Sequence, residues 1–107
     1  MIKTIKIGDK EYVLNASAFT IFKYKNIFKK DLLKEINSLE KRNEDEETGD
    51  VILSVLEFTY AMSDINKEKS FEEFLSEIEG VLDNNNWIKE VSEHLMLIFR
   101  RGNIQGN

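Results

Sequence analysis

One long apolar segment, bounded by Asp50 and Asp64, constrains this fold more than any other part of the sequence. The clearly polar side chains between its two ends are Ser54, Glu57, Thr59 and Ser63. A helix that is apolar around most of its circumference must be covered by neighbouring elements on most sides. We therefore predict a buried central helix, with residues 51–101 as the helical core of the molecule.

The size and composition of the chain limit the class of protein. A chain of 107 residues with 41% hydrophobic residues can build one core, so residues 1–107 are expected to form one domain. Glu57 interrupts the most apolar window, and residues 1–10 lack the apolar stretch of a secretion signal. The absence of cysteine and the single histidine exclude disulfides and the usual zinc ligand sets. We predict an intracellular, soluble domain without cofactor, metal or membrane span.

Local patterns divide the chain into a hairpin and several helices. Two β-prone runs on either side of Gly8 predict a hairpin over residues 1–14, which must lie on helices or pair with another chain. We expect a basic helical part over residues 15–40, a mobile acidic loop over 41–50, and a frayed tail over 102–107. The predicted fold class is mainly α: a single domain of four to five helices with a short N-terminal β-hairpin.

The first helix is expected to begin near residues 15–17, where Asn and Ser side chains can cap it. We predict one broad apolar face formed by Ala18, Phe19, Ile21, Phe22, Ile27 and Phe28. The basic side, which also holds Tyr24, is formed by Lys23, Lys25, Lys29 and Lys30. Asp31 can cap a second helix, so a bend near Lys29 is favoured. The alternative is one continuous helix through both segments, because no glycine or proline lies between them.

Capping and turn residues mark the C-terminal helices. Ser70 and Glu73 have the spacing of a capping box, and Gly80 is expected to end that helix. Residues 83–86 predict a turn, after which Trp87 opens the last helix. Gly102 is expected to cap this helix at its C-terminal end.

Charge is distributed unevenly along the chain, whose formal net charge is -5. Residues 1–42 carry a balance of +5 and residues 43–107 a balance of -10. This polarity, together with the free edges of a hairpin, motivates the hypothesis of a homo-oligomer or of docking on a charged partner. A chance difference between solvated helix surfaces explains the asymmetry equally well.

The residues give little support to catalysis. A satisfied or solvated side chain accounts for His94 better than a catalytic one, because its neighbouring acids are merely helical neighbours. The carboxylates lack calcium-loop spacing, and no phosphate-binding glycine loop or nucleophile elbow occurs. We predict a protein that is not an enzyme. The lysines beside Tyr24 and Phe28 could contact phosphates, but the lack of arginine there and the acidic chain disfavour nucleic acid.

Four segments follow one another in an order that resembles a known family. They are residues 15–17 (NAS), 24–33 (YKNIFKKDLL), 61–63 (AMS) and 70–75 (SFEEFL). The chain resembles the tail assembly chaperones of long-tailed bacteriophages that infect Gram-positive bacteria, over about residues 12–87. Lys29 stands where this resemblance leads us to expect a glycine, and Tyr60 and Phe74 stand where tryptophan is typical.

The resemblance implies a non-enzymatic role in the host bacterial cytoplasm. Such chaperones hold the helical tape measure protein before the tail tube polymerises around it, recruit tail tube subunits, and are absent from the mature virion. They are often made in a short and a frameshift-extended form, so residues 102–107 would end the short form. The alternatives are a helical protein–protein adaptor of unrelated role and a small nucleic-acid-binding regulator.

The candidate partner-binding residues lie in the aromatic and basic segment. We predict partner contacts from Tyr24, Lys25, Lys29 and Lys30. Three further candidates, which serve the fold equally well, are Phe28, Asp31 and Leu32. A small helical domain with exposed apolar or basic surface can bind a partner helix and shield it from aggregation until it is displaced.

Overall fold

The chain opens with an antiparallel hairpin whose inner face lies on helices. In the computed structural model, which describes residues 2–40, 49–82 and 86–105, β1 (Ile2–Ile7) pairs with β2 (Lys10–Asn15). The hairpin residues that are buried alternate along the strands and are Ile5, Ile7, Tyr12 and Leu14. β1 contacts the last helix and β2 contacts the central one, which confirms the predicted hairpin and its packing on helices.

Five α-helices follow in the described part of the chain and confirm the predicted, mainly helical fold. They are α1 (Ala18–Phe28), α2 (Leu32–Glu40), α3 (Gly49–Met62), α4 (Phe71–Glu77) and α5 (Asn86–Gln105), with a short 3₁₀ helix at Asp64–Lys67. α3 lies at the centre, because it contacts β2, α1, α4 and α5.

α3 is the buried central helix that the apolar segment predicts. Residues 55–62 are all buried, including Glu57 and Thr59. Aromatic rings from α1, α3 and α4 pack together, with neighbouring ring centroids 5.0–6.1 Å apart. The rings are those of Tyr24, Phe28, Phe58, Tyr60, Phe71 and Phe74. This aromatic cluster joins α1 and α4 to α3.

Two helix starts use the predicted capping residues. Ser17 is the N-cap residue of α1, and its backbone N–H donates to the Thr20 hydroxyl at 3.1 Å. Ser70 and Glu73 form the capping box of α4: the Ser70 hydroxyl accepts from the Glu73 N–H, and the Glu73 carboxylate accepts from the Ser70 N–H, both at 3.1 Å. Each cap satisfies backbone donors that a helix start leaves free.

Several element ends differ from the prediction. Gly49 and Asp50, expected at the end of a mobile loop, form the first residues of α3, while residues 41–48 lie outside the described part of the chain. Asn86, expected in a turn, begins α5; residues 83–85 are also outside the description. α5 continues past Gly102 to Gln105, so the expected cap at Gly102 is wrong. Glycine inside a helix costs only about 1 kcal/mol, which other contacts can offset. Asparagine is common at helix starts, so neither residue type fixes a break by itself.

The hairpin turn and the α4–α5 connection approach each other backbone to backbone. Gly8 has a φ of 62°, and a Cβ atom at this position would lie 2.3 Å from the carbonyl oxygen of Glu79. α4 ends at Glu77, since Ile78 is already extended, and Gly80 lies three residues further on with a φ of 71°. Gly80 therefore does not terminate α4 as expected; it belongs to the connection that receives the turn.

A left-handed residue separates α1 from α2 and confirms the favoured bend. Lys29 has φ 58° and ψ 34°, and its N–H donates to the Lys25 carbonyl at 2.9 Å. Asp31 then starts α2, because its carboxylate accepts a hydrogen bond from the Leu33 N–H at 2.9 Å. A side chain in this conformation costs roughly 1–2 kcal/mol, and glycine avoids that cost. Position 29 thus has the backbone conformation that favours glycine, although the residue there is lysine.

We predict that Lys29→Gly stabilises the protein by up to about 1 kcal/mol, because relief of the left-handed strain exceeds the extra entropy that glycine loses on folding. Urea denaturation measures the change. Lys25→Gly, inside α1, is the matched control and should destabilise by about 1 kcal/mol. A Lys29→Gly variant that is less stable than the wild type would contradict the left-handed junction.

Candidate partner-binding surface

The seven candidate residues of the aromatic and basic segment divide between the core and the surface. Tyr24 and Leu32 have no exposed surface, and Phe28 is half-buried against the rings of Tyr24, Tyr60 and Phe71. In this conformation Tyr24 and Leu32 offer a partner nothing to contact. The expectation that Tyr24 lies among exposed lysines is therefore wrong, because its ring packs on Phe28 and Phe58.

Lys30 and Asp31 are engaged within the chain. Lys30 Nζ lies 3.1 Å from Glu57 Oε2, and its side chain is 45% exposed while that of Glu57 is 7% exposed. Asp31 caps α2 as described above. Lys25 and Lys29 are the two candidates that are exposed and that form no ion pair with other described residues.

Glu57 is the centre of a small polar network inside the apolar core. The Tyr24 hydroxyl donates to Glu57 Oε1 at 2.8 Å, and Lys30 Nζ donates to Oε2 at 3.1 Å and to Oε1 at 3.4 Å. A buried carboxylate without partners would cost several kcal/mol, so these donors make its burial tolerable. The network ties the C-terminal half of α1 and the α1–α2 junction to α3.

Burial and the network change the acidity of the tyrosines. Burial, followed by the hydrogen bond to the Glu57 carboxylate, raises the pKa of Tyr24 well above its ordinary value. Burial also raises the pKa of Tyr12 and of Tyr60, the latter with a smaller contribution from the Glu73 charge. All three hydroxyls therefore stay protonated in the folded protein at pH values where a free tyrosine ionises.

The side of α1 that faces away from the core carries two exposed aromatic residues. Phe19 and Phe22 are 60% and 58% exposed, and their rings stack with centroids 5.6 Å apart. We name the α1 outer face by its exposed residues, which are Phe19, Phe22, Lys25, Asn26 and Lys29. The predicted broad apolar face of α1 does not pack on the core as a whole, because Ala18, Phe19 and Phe22 are exposed.

The helical repeat contains the signal that would have separated the two sides of α1. Thr20, Tyr24 and Phe28 recur every fourth residue, and these three face the core. At about 100° per residue, Phe19 and Phe22 lie on the opposite side, in line with Asn26. Residue-type hydrophobicity alone hid this division, because both sides contain phenylalanine.

The remaining polar groups of the described residues lie apart from the α1 outer face. No group of three or more His, Asp or Glu side chains in the described ranges could hold a metal ion. His94 is 5% exposed and lies within the core on α5. A groove between β2 and α4 contains Lys10, Tyr12, Lys69 and Glu77, but the Lys69 ammonium already pairs with the Glu77 carboxylate. Among the described helices, none is long and apolar enough to cross a bilayer.

Comparison with known proteins returns no relative. No family model matches the chain, and neither a curated protein nor a solved structure matches it.

We predict that Tyr24→Phe lowers the free energy of unfolding by about 1.5–3 kcal/mol, because it removes a hydrogen bond to a buried charge. Tyr12→Phe is the matched control: the Tyr12 hydroxyl makes no hydrogen bond to a described residue, so its loss should cost less than about 1 kcal/mol. Urea denaturation of both variants measures the difference. Equal losses would show that the Glu57 contact does not stabilise the fold.

The raised tyrosine pKa values predict a loss of stability at alkaline pH. Above about pH 10 the unfolded chain releases tyrosine protons that the folded chain keeps, so folding becomes less favourable by up to about 1.4 kcal/mol per pH unit for each such tyrosine. Below that pH this contribution is constant. The free energy of unfolding, measured by urea denaturation at several pH values between 8 and about 11, should decrease less steeply with pH for Tyr24→Phe than for the wild type.

Proposed function

We propose that this protein is a non-enzymatic tail assembly chaperone of a long-tailed bacteriophage. It holds the tape measure protein in the host cytoplasm, helps recruit tail tube subunits, and leaves before the virion is mature. The observation that carries the proposal is the exposed Phe19–Phe22 pair on the α1 outer face. Two aromatic side chains in water add little to the stability of a small domain, and contiguous exposed apolar patches are typical of binding surfaces.

The sequence resemblance supports the same role. Its segments correspond to the N-cap of α1, the α1–α2 junction, the end of α3 and the first turns of α4. These segments meet around the aromatic cluster and α3, so they specify one scaffold. The scaffold presents α1 on the surface, which is the arrangement needed to bind a partner helix.

The two alternatives differ from this proposal in what they bind. An unrelated adaptor would use the same exposed aromatic pair for a different protein. A nucleic-acid-binding regulator is the weaker alternative. Tyr24 and Phe28, the rings next to the lysines in the sequence, are buried or half-buried, so base stacking would have to use Phe19 and Phe22. The net charge of -5 also opposes a phosphate backbone.

Co-expression with the tape measure protein of its own phage tests the proposal. We expect this chain to increase the soluble fraction of the tape measure protein several-fold and to co-purify with it, since covering an apolar helix suppresses aggregation. An unrelated coiled-coil protein of similar length serves as the control partner. A folded, monodisperse chain that leaves the tape measure protein insoluble would refute the proposed role.

A further inference from the structure

The two lysines of the α1 outer face lie next to its phenylalanines, so they favour a binding partner of opposite charge. Lys25 and Lys29 are exposed, and neither pairs with an acidic group among the described residues. The sequence from residue 12 to residue 30 contains no Asp or Glu. The α1 outer face thus presents an apolar N-terminal half and a positive C-terminal half with no neutralising charge of its own.

We infer that the α1 outer face binds an amphipathic helix whose apolar side chains cover Phe19 and Phe22 and whose acidic side chains meet Lys25 and Lys29. Lys25 and Lys29 follow Phe22 by three and seven residues, which correspond to about 5 and 10 Å along a helix axis. The partner must therefore carry its acids one to two helical turns beyond its apolar anchors, on the same face. This inference rests on the proposed function: it places the acidic, amphipathic helix in the tape measure protein.

Helical geometry and charge both favour this occupant. Two apolar residues three positions apart on one helix match apolar residues three or four positions apart on another. Unpaired lysines around an apolar patch attract an acidic partner and repel a basic one, so they set specificity and association rate. A positively charged helix of the same shape would leave like charges facing each other.

A second copy of this chain fits the α1 outer face less well. Its acidic half contains α4, whose exposed side chains are Glu72, Glu73, Ser76 and Glu77, while Phe71, Phe74 and Leu75 are half-buried or buried. Leu82, the strongly exposed apolar residue of that half, lies in a turn. On α3, Asp50 and the 43% exposed Leu53 lie three residues apart and share one face. That single leucine covers less apolar surface than a helix with two or three apolar anchors, so a second copy is the weaker occupant.

The direct test uses designed helical peptides of about 20 residues, long enough to form a helix on binding. The acidic peptide carries leucines at i, i+3 and i+4 spacing and glutamates one to two turns beyond, on the same face. One matched peptide replaces the glutamates with lysines, and another replaces the leucines with serines. Fluorescence anisotropy with the full chain should show binding of the acidic peptide about tenfold tighter than of either matched peptide, and weaker binding in high salt.

Two double variants test the two halves of the surface separately. Phe19→Ser with Phe22→Ser removes the anchors, and Lys25→Glu with Lys29→Glu reverses the charge; each should weaken binding of the acidic peptide by about tenfold or more. The charge reversal should also improve binding of the lysine peptide. Leu82→Ser and Lys6→Glu, at exposed positions elsewhere, are matched controls and should bind as the wild type does. Circular dichroism is the check that each variant is folded.

Several outcomes would overturn the inference. Equal binding of the acidic peptide to the wild type and to both double variants would place the site elsewhere. Self-association abolished by Phe19→Ser with Phe22→Ser, without peptide binding, would assign the α1 outer face to a second copy. Binding of duplex DNA lost on Lys25→Glu with Lys29→Glu, without peptide binding, would assign it to nucleic acid.

Binding experiments with the tape measure protein distinguish this inference from the proposed function. A complex that forms equally well with the Phe19→Ser/Phe22→Ser variant would support the chaperone role and refute the α1 outer face as its site. Binding of the acidic peptide through that face, with no effect on the tape measure protein, would support the surface and refute the chaperone role.

Discussion

Glu57 places a carboxylate in the middle of the most apolar helix, and the rest of the structure depends on how that charge is satisfied. The Tyr24 hydroxyl and the Lys30 ammonium both reach it. Such a group favours one arrangement of neighbours over alternatives, because any other packing would leave the charge without donors. The network therefore selects the rotation of α1 about its own axis as well as its position against α3.

The rotation of α1 about its axis also determines which of its side chains are exposed. With Tyr24 turned toward Glu57, Phe19 and Phe22 must point to the opposite side, into solvent. The exposure of the two phenylalanines follows from a requirement in the core and is not a local irregularity of the helix end. The same helix thus performs two tasks, closing the core with one side and presenting an apolar and basic strip with the other.

The sequence predicted the elements with clear local signals and failed where a tertiary contact decided the outcome. The apolar segment, the Ser70–Glu73 capping box and the bend at Lys29 are local, and the structure confirms them. The orientation of α1 was not predictable from hydrophobicity, because both of its sides contain phenylalanine. The network that decides it joins residues separated by 33 and 27 positions. The functional role stays a prediction from resemblance and surface chemistry.

The contact between Gly8 and the backbone of Glu79 makes positions 8 and 79 differ in the substitutions that they tolerate. The carbonyl oxygen at position 79 is supplied by the main chain, so most residue types can stand there without altering the meeting point. At position 8, any β-carbon would collide with that oxygen, and the backbone angle also disfavours other residues. In related sequences, substitutions should therefore accumulate freely on one side of this contact while the other side stays invariant.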